Sequence, residues 1–417
     1  MDAKMINRNI ETLVNDTLND TPVTVIQGAR QVGKSTLALM VSKHRKCMHV
    51  TLDSDIALTA AKENPYEFVS QFPEGLLIID EIQRCPDLLK AIKLSVDENR
   101  KPGRFLITGS ANILNLRKSN ESLAGRAESI ILQPFSVGEK NGIKESFITT
   151  LMQENMLSSF RDMAAYSRMQ YSELIESGGY PEAQNRTDKR RKAYFKNYIT
   201  RVLDHDANEL SGLAHLELLK KLYIMLAGNP SQIYVRANVS RIMAIPESSM
   251  NGYMRLLEDL CLLHFLPAWG KNYSKRALSR PKIVLSDTGL VCSLHNITGS
   301  FLAKIENGNQ LGSLLETLVI SEIIKQRSWS ETDYTLYHYR DSDNKEVDLI
   351  IELDNGKLVA LEIKAASSFS QKDLSGLKLL KELLGNRFLC GLLLYTGKDV
   401  TPLGERLYAV PISTIWQ

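Results

Sequence analysis

The run Gly28-Ala29-Arg30-Gln31-Val32-Gly33-Lys34-Ser35 fits the pattern G-x-x-x-x-G-K-[ST] without a mismatch. It constrains the fold strongly, because the pattern works only between a strand and a helix. Both flanks are present. Val23-Thr24-Val25-Ile26 reads as a buried strand entering the loop, and Thr36-Leu37-Ala38-Leu39-Met40-Val41 has the residues to open a helix. Gly28 and Gly33 let backbone N–H groups turn inward around phosphate oxygens. Lys34 is expected to reach the β- and γ-phosphates, and the Ser35 hydroxyl, followed by Thr36, to hold Mg²⁺. The helix N-terminus adds its positive dipole at the same spot. The expectation is an α/β core that binds ATP with Mg²⁺.

Leu76-Leu77-Ile78-Ile79 is a continuous apolar run ending in Asp80-Glu81. Such a run suits a central parallel strand covered on both faces, and ligands sit at the carboxyl ends of these strands. Asp80 is therefore expected to assist the Ser35-bound Mg²⁺, and Glu81 to polarise the attacking water as general base. Arg104-Phe105-Leu106-Ile107-Thr108 reads as a third strand ending in Gly109-Ser110-Ala111-Asn112. A polar side chain there senses the γ-phosphate. Ser110 and Asn112 both qualify, and the sequence does not choose between them. Ser122-Leu123-Ala124-Gly125-Arg126 offers a guanidinium for the transferring phosphoryl group, in cis or from a neighbouring subunit of a homo-oligomer.

These stretches resemble the AAA-type (AAA+) ATPases. They are most similar to a bacterial and archaeal family of ATP-binding proteins. Gly28 to Ser35, Ile78-Ile79-Asp80-Glu81-Ile82-Gln83, Thr108-Gly109-Ser110 and Leu123-Ala124-Gly125-Arg126 carry the resemblance, joined by Glu176-Ser177-Gly178-Gly179-Tyr180-Pro181-Glu182. The resemblance covers most of the chain. It implies a P-loop ATPase core, a parallel sheet flanked by helices, and a C-terminal domain with a restriction-endonuclease-like core.

At 417 residues the chain is long enough for several domains. No stretch approaches the ~20 apolar residues of a membrane-spanning helix. Met1-Asp2-Ala3-Lys4 opens no apolar signal segment. Cys47, Cys85, Cys261, Cys292 and Cys390 are scattered, with neither metal spacing nor a disulfide framework, so a reducing cytoplasm is expected.

The net charge of +3 argues little, but its placement is uneven. Arg186, Lys189, Arg190, Arg191, Lys192, Lys196 and Arg201 face Asp188 alone, and Lys271, Lys275, Arg276, Arg280 and Lys282 face no acid. Tyr194, Tyr198 and Tyr273 lie among them. The first run reads equally as a solvated helix face or a phosphate-binding one; the second points to DNA phosphates. Around it, helices are expected at 216–226, 235–243 and from Pro246 on. A strand at 263–267, the basic loop and a strand at 282–285 follow. This is a winged helix-turn-helix order. The presumed recognition helix carries Glu247, Glu258 and Asp259 against Arg255, a poor guest for a major groove.

The C-terminal third holds a second set of chemical groups. Glu316 lies in an apolar helix, Lys345-Glu346-Val347-Asp348-Leu349 in a strand, and Leu361-Glu362-Ile363-Lys364 in its partner across a turn at Asp354-Asn355-Gly356. Alternation puts Glu362 and Lys364 on one face, which Asp348 can meet. Asp348 and Glu362, completed by Glu316, are expected to hold Mg²⁺ or Mn²⁺, with Lys364 as the catalytic cation. The spacing resembles the PD-(D/E)xK nuclease signature, although no Pro precedes Asp348.

The expected order is an AAA-type core at 1–150, a helical lid or connector at 151–205, a winged helix at 206–295 and a nuclease-like domain at 296–417. The leading expectation is an ATP-dependent machine that acts on DNA and cleaves it. A nucleotide-operated switch whose C-terminal domain only binds, and a regulator using the wing, are the alternatives.

Overall fold

The computed structural model describes residues 5–109, 123–210, 215–270, 276, 279–341, 343 and 345–417. Internal contacts divide the chain into residues 1–135 with 259–261, and residues 136–258 with 262–417.

The first unit is built on a five-stranded parallel sheet: β1 (Val23–Gln27), β2 (Cys47–Thr51), β3 (Leu76–Asp80), β4 (Phe105–Gly109) and β5 (Ala127–Ile131), in the order β2-β3-β4-β1-β5. β1, β3 and β4 are buried along their whole length, as their unbroken apolar runs require. The helix Leu88–Glu98 turns Leu88, Leu89, Ile92 and Val96 into the core formed with Ile79 and Phe105. The parallel sheet flanked by helices expected from the sequence is present. The carboxyl ends of β1, β3 and β4 lie side by side, with Gln27 beside Gly109 and Ile79 beside Ile107.

The second unit begins with short helices, then Arg168–Ser177 and Asp188–Arg201, where helical structure was expected. Helices Glu217–Ala227, Arg236–Met243 and Glu247–Asp259 follow, and then the antiparallel ribbon β6 (Leu263–Leu266) and β7 (Lys282–Leu285). The C-terminal part runs from the helix Gly308–Gln326 through β8 (Tyr334–Arg340), β9 (Glu346–Leu353) and β10 (Leu358–Lys364), then the helix Ser375–Leu384. β11 (Phe388–Tyr395), β12 (Thr401–Gly404) and β13 (Leu407–Pro411) complete one six-stranded sheet. β8–β10 are antiparallel neighbours and β11 joins β10 in parallel. The β9–β10 hairpin turns at Gly356, in the left-handed region at φ 76°.

The first boundary falls at residue 135 rather than at 150. Ser136 caps the next helix with Glu139, the Val137 N–H donates to Glu322 at 2.7 Å, and Trp329 Nε1 donates to the Glu145 carbonyl at 3.2 Å. These bonds tie residues 136–150 to the C-terminal helix Gly308–Gln326 and the turn after it, a link with no local sequence signal.

The ribbon departs from the expectation of a free basic wing. Lys282 is 1% exposed within a fully buried β7. Arg276 forms a bidentate pair with Glu352 (2.7 and 3.3 Å) and its guanidinium lies over Trp269 (5.3 Å) and Tyr337 (4.9 Å). Arg280 is exposed. Lys271, Tyr273 and Lys275 lie outside the described residues. Two of the five expected phosphate contacts are thus committed to the protein interior. The other basic run keeps Lys189, Arg190, Lys196 and Arg201 exposed, but Tyr198 is buried and hydrogen-bonded to Tyr180 at 2.9 Å, so it is no stacking platform for bases.

Candidate functional site

The nucleotide site is assembled from three strand ends. Gly28 takes φ 150°, and a side chain there would meet the Leu132 carbonyl oxygen at 2.3 Å; Gly33 takes φ 97°. Both glycines are therefore demanded by backbone shape. The loop feeds directly into the helix Lys34–Ser42, with Gly33 as its N-cap. Lys34 is buried, and its ammonium donates to the carbonyls of Gly28 (3.1 Å) and Ala29 (2.9 Å). Burial lowers its pKa from the ordinary lysine value, opposed by the Glu81 carboxylate. A bound phosphate would supply the missing counter-charge.

Ser35 donates its hydroxyl proton to Asp80 Oδ2 at 2.7 Å, across the join between loop and β3. Thr108, at the end of β4, donates to Asp80 Oδ1 and accepts the Glu81 N–H at 3.4 Å. Glu81 sits in the left-handed region at φ 59°, the first residue past the strand, and accepts a bond from the Gln83 amide. A non-glycine residue held there stores strain that the surrounding bonds must hold. The oxygens of Ser35 and Asp80 are hard donors already in contact, which fits Mg²⁺. Thr36 is exposed on the first helical turn, and Ser110 and Asn112 lie outside the described residues.

Two residues were not legible as parts of this site. Thr108 is expected from the sequence as the end of a strand and as part of the family resemblance, with no role of its own. Arg8 donates to the Val32 carbonyl at 3.0 Å and the Gln133 carbonyl at 2.7 Å, bracing the loop from below. Nothing in the polar N-terminal sequence marks it.

Arg126 is not brought to its own phosphate loop. It immediately precedes β5, whose first residue Ala127 pairs with Val23 at the start of β1, while Lys34 follows the end of β1. The two ends of such a strand are about 15 Å apart. Arg126 instead pairs with Asp97 at 2.5 Å and donates to the Ala124 carbonyl at 3.0 Å. Arg126→Ala is therefore expected to leave ATP affinity and turnover of an isolated chain near the parent values, read by steady-state phosphate release. A loss of turnover that Glu81→Gln chains restore on mixing would instead assign Arg126 to a neighbouring chain.

In the second unit, register brings the predicted carboxylates together. Leu349 pairs with Leu361, so Asp348 and Glu362 are neighbours, and Asp348 Oδ2 accepts the Ile363 N–H at 2.9 Å. Lys364 contacts Glu362 at 2.8 Å and Asp373 at 3.7 Å. Lys282 enters the group as well. Its ammonium is 2.6 Å from Glu316, 3.0 Å from Glu346 and 3.7 Å from Asp348. Burial alone would lower the Lys282 pKa; the carboxylates of Glu316, Asp348 and Glu346 outweigh it and hold the ammonium above the ordinary lysine range. Burial, and then Asp348, push Glu316 and Glu362 up to about 8. Two ammonium groups, those of Lys282 and Lys364, thus stand among the carboxyl groups of Glu316, Glu346, Asp348, Glu362 and Asp373.

The set Glu316, Asp348 and Glu362 therefore does not fit the Mg²⁺ or Mn²⁺ expected of it. Among the described residues, no three acidic, His or Cys side chains converge as a metal site. The positive charge comes from Lys282, which had been expected to face DNA. A signal was available: a lysine opening the apolar strand Lys282-Ile283-Val284-Leu285 needs a buried anion.

Residues 20–141 match the model of an AAA domain, 168–300 match a domain of unknown function (DUF8612), and 311–415 another domain of unknown function (DUF4143). An uncharacterized protein of Mycobacterium tuberculosis is 28% identical over 401 residues, 95% of this chain and 82% of that protein. One from Haemophilus influenzae is 23% identical over 354 residues, 79% of each. Among solved structures, a Walker-type ATPase of Pyrococcus abyssi gives a TM-score of 0.42 at 14% identity, covering 70% of this chain and 96% of that one. AMPPCP-bound DnaA from Aquifex aeolicus gives 0.29 at 13% identity, covering 62% and 89%. The N-terminal unit is thus similar to AAA domains, and its parallel sheet flanked by helices is like that of a P-loop ATPase, a fold that implies nucleotide binding. Among the described residues no helix is long and apolar enough to cross a membrane.

Proposed function

We propose that this chain is a Mg²⁺-dependent ATP hydrolase that works as a nucleotide-operated switch. The observation that carries this reading is the Ser35–Asp80 contact at 2.7 Å, with Thr108 on the other carboxylate oxygen and Glu81 at the strand end. Lys34 and the backbone of Gly28 to Gly33 would bind the phosphates. Ser35 and Asp80 would hold Mg²⁺, which supplies charge to the β- and γ-phosphate oxygens. Glu81 would orient the attacking water and accept its proton.

The second unit is read, in chain order, as a helical connector, a winged-helix segment and a nuclease-like domain. Helix Gly308–Gln326, antiparallel β8–β10, helix Ser375–Leu384 and parallel β11 support the last of these. DNA remains the proposed partner, supported by the exposed Lys189, Arg190, Lys196 and Arg201. Cleavage is not part of the proposal, because an ammonium stands among the carboxylates that would hold the metal.

The test is phosphate release from ATP by the full chain with Mg²⁺, run beside incubation with supercoiled DNA. Mg²⁺-dependent turnover with intact DNA is expected. Turnover that persists in Lys34→Ala overturns the hydrolase reading. Nicking that disappears in Asp348→Ala overturns the non-cleaving one.

A further inference from the structure

We propose that Lys282 is a built-in replacement for a divalent cation. Its ammonium holds the carboxylates of Glu316, Glu346 and Asp348 together, so this centre takes up no Mg²⁺ or Mn²⁺ while Lys282 is in place and accepts one when Lys282 is removed. The proposal rests on the reading of the second unit as nuclease-like but non-cleaving.

Three observations carry it. The first is position. Lys282 is 1% exposed, and it reaches carboxylates on the helix Gly308–Gln326 and on β9 from a strand outside their sheet. A lysine is almost never fully buried unless paired. The second is rigidity. The Tyr234 N–H donates to the Pro281 carbonyl at 2.7 Å and the Ile283 N–H to the Gln232 carbonyl at 2.9 Å, so the backbone on both sides of Lys282 is fixed. The ammonium is therefore aimed into the cluster by the fold. The third is chemistry. Removing one partner of a buried ion pair leaves an uncompensated charge, which is strongly destabilising. Carboxylate oxygens are the ligands that hard divalent cations take. Glu362 Oε2 is also buried with no hydrogen-bond partner among the described residues. Without Lys282, these oxygens would be short of positive charge; protons can neutralise some of them, and a small divalent cation is the species that can bind several of them at once.

The experiment uses the nucleotide-free full chain and reads Mn²⁺ uptake by electron paramagnetic resonance, with thermal melting alongside. The parent should take up no Mn²⁺ that depends on Asp348, and its melting midpoint should not respond to an Asp348-dependent metal. Lys282→Met should melt lower in chelator, gain one further Mn²⁺ per chain, and recover stability when Mn²⁺ is added. Adding Asp348→Asn to Lys282→Met removes one acid for the lost cation. The double variant should melt nearer the parent and lose the extra Mn²⁺. Any of three results overturns the proposal: parent Mn²⁺ binding that Asp348→Asn abolishes, a Lys282→Met chain with no Mn²⁺ gain, or a double variant no more stable than the single. ATP turnover and DNA nicking, measured in the same preparations, test the proposed function separately. Loss of either leaves the Mn²⁺ result standing.

Discussion

Lys34→Ala is expected to abolish nucleotide binding, and Glu81→Gln to keep binding while losing turnover. The lysine result follows from its surroundings. Lys34 is buried, and its ammonium is held by two loop carbonyls rather than by an acid, so it is set to meet an incoming anion. Alanine removes the buried ammonium that sits against the loop's own carbonyls, and with it the point charge for the phosphates. The Glu81 result separates binding from chemistry. Glutamine has nearly the same shape and can keep the bond with Gln83, so the strand end should hold its form. An amide cannot accept a proton from water, and loss of a positioned general base costs roughly 10²- to 10⁴-fold in rate. Fluorescent-nucleotide titration and phosphate release would read the two quantities. Parent-like turnover in Glu81→Gln would remove Glu81 from the mechanism, and retained affinity in Lys34→Ala would remove the lysine from the phosphates.

Asp287→Ala is expected to cost the second unit about 2–6 kcal/mol, since two buried N–H groups lose their acceptor at ~1–3 kcal/mol each. Asp287 is 3% exposed. It accepts the Gly179 N–H at 2.6 Å and the Leu290 N–H at 3.1 Å, and caps the helix Thr288–His295. This explains the Gly178-Gly179-Tyr180-Pro181 turn. Gly178 takes φ 62°, and a side chain there would meet Asp287 Oδ1 at 2.4 Å. Gly178→Ala should therefore destabilise the parent by more than the ~1–3 kcal/mol of backbone strain alone. In an Asp287→Ala chain the clash is gone, so the double variant should be more stable than the summed singles predict. Denaturant melts of all four chains give the coupling. Additivity within about 0.5 kcal/mol would show that the two residues do not share a contact.

Much of the first unit was legible because its signals are local. A glycine-rich loop between a strand and a helix dictates its own backbone shape, and an acid at the end of an unbroken apolar strand has one end of the sheet to occupy. Gly28, Gly33, Lys34, Ser35, Asp80 and Glu81 needed only neighbours within a few residues to declare their positions. The β9–β10 hairpin was legible for the same reason: a turn at Asp354-Asn355-Gly356 and strand alternation brought Asp348 and Glu362 together.

Tertiary structure decided the rest, because burial and charge pairing over long separations leave no mark on a local pattern. Arg126 follows a small-residue turn that suits a phosphate contact, yet parallel pairing puts it at the far end of β5. Arg276 and Lys282 looked alike as basic residues of one loop. One proved to be clamped to Glu352 between aromatic rings and the other sunk among Glu316, Glu346 and Asp348. Composition counts such charges as solvated, since it cannot say which will be taken from water. The sequence by itself determined which backbone turns and strand ends this protein must have. The fold alone decided which charges are stripped of water and must find each other, and so which carboxylates remain open to a metal.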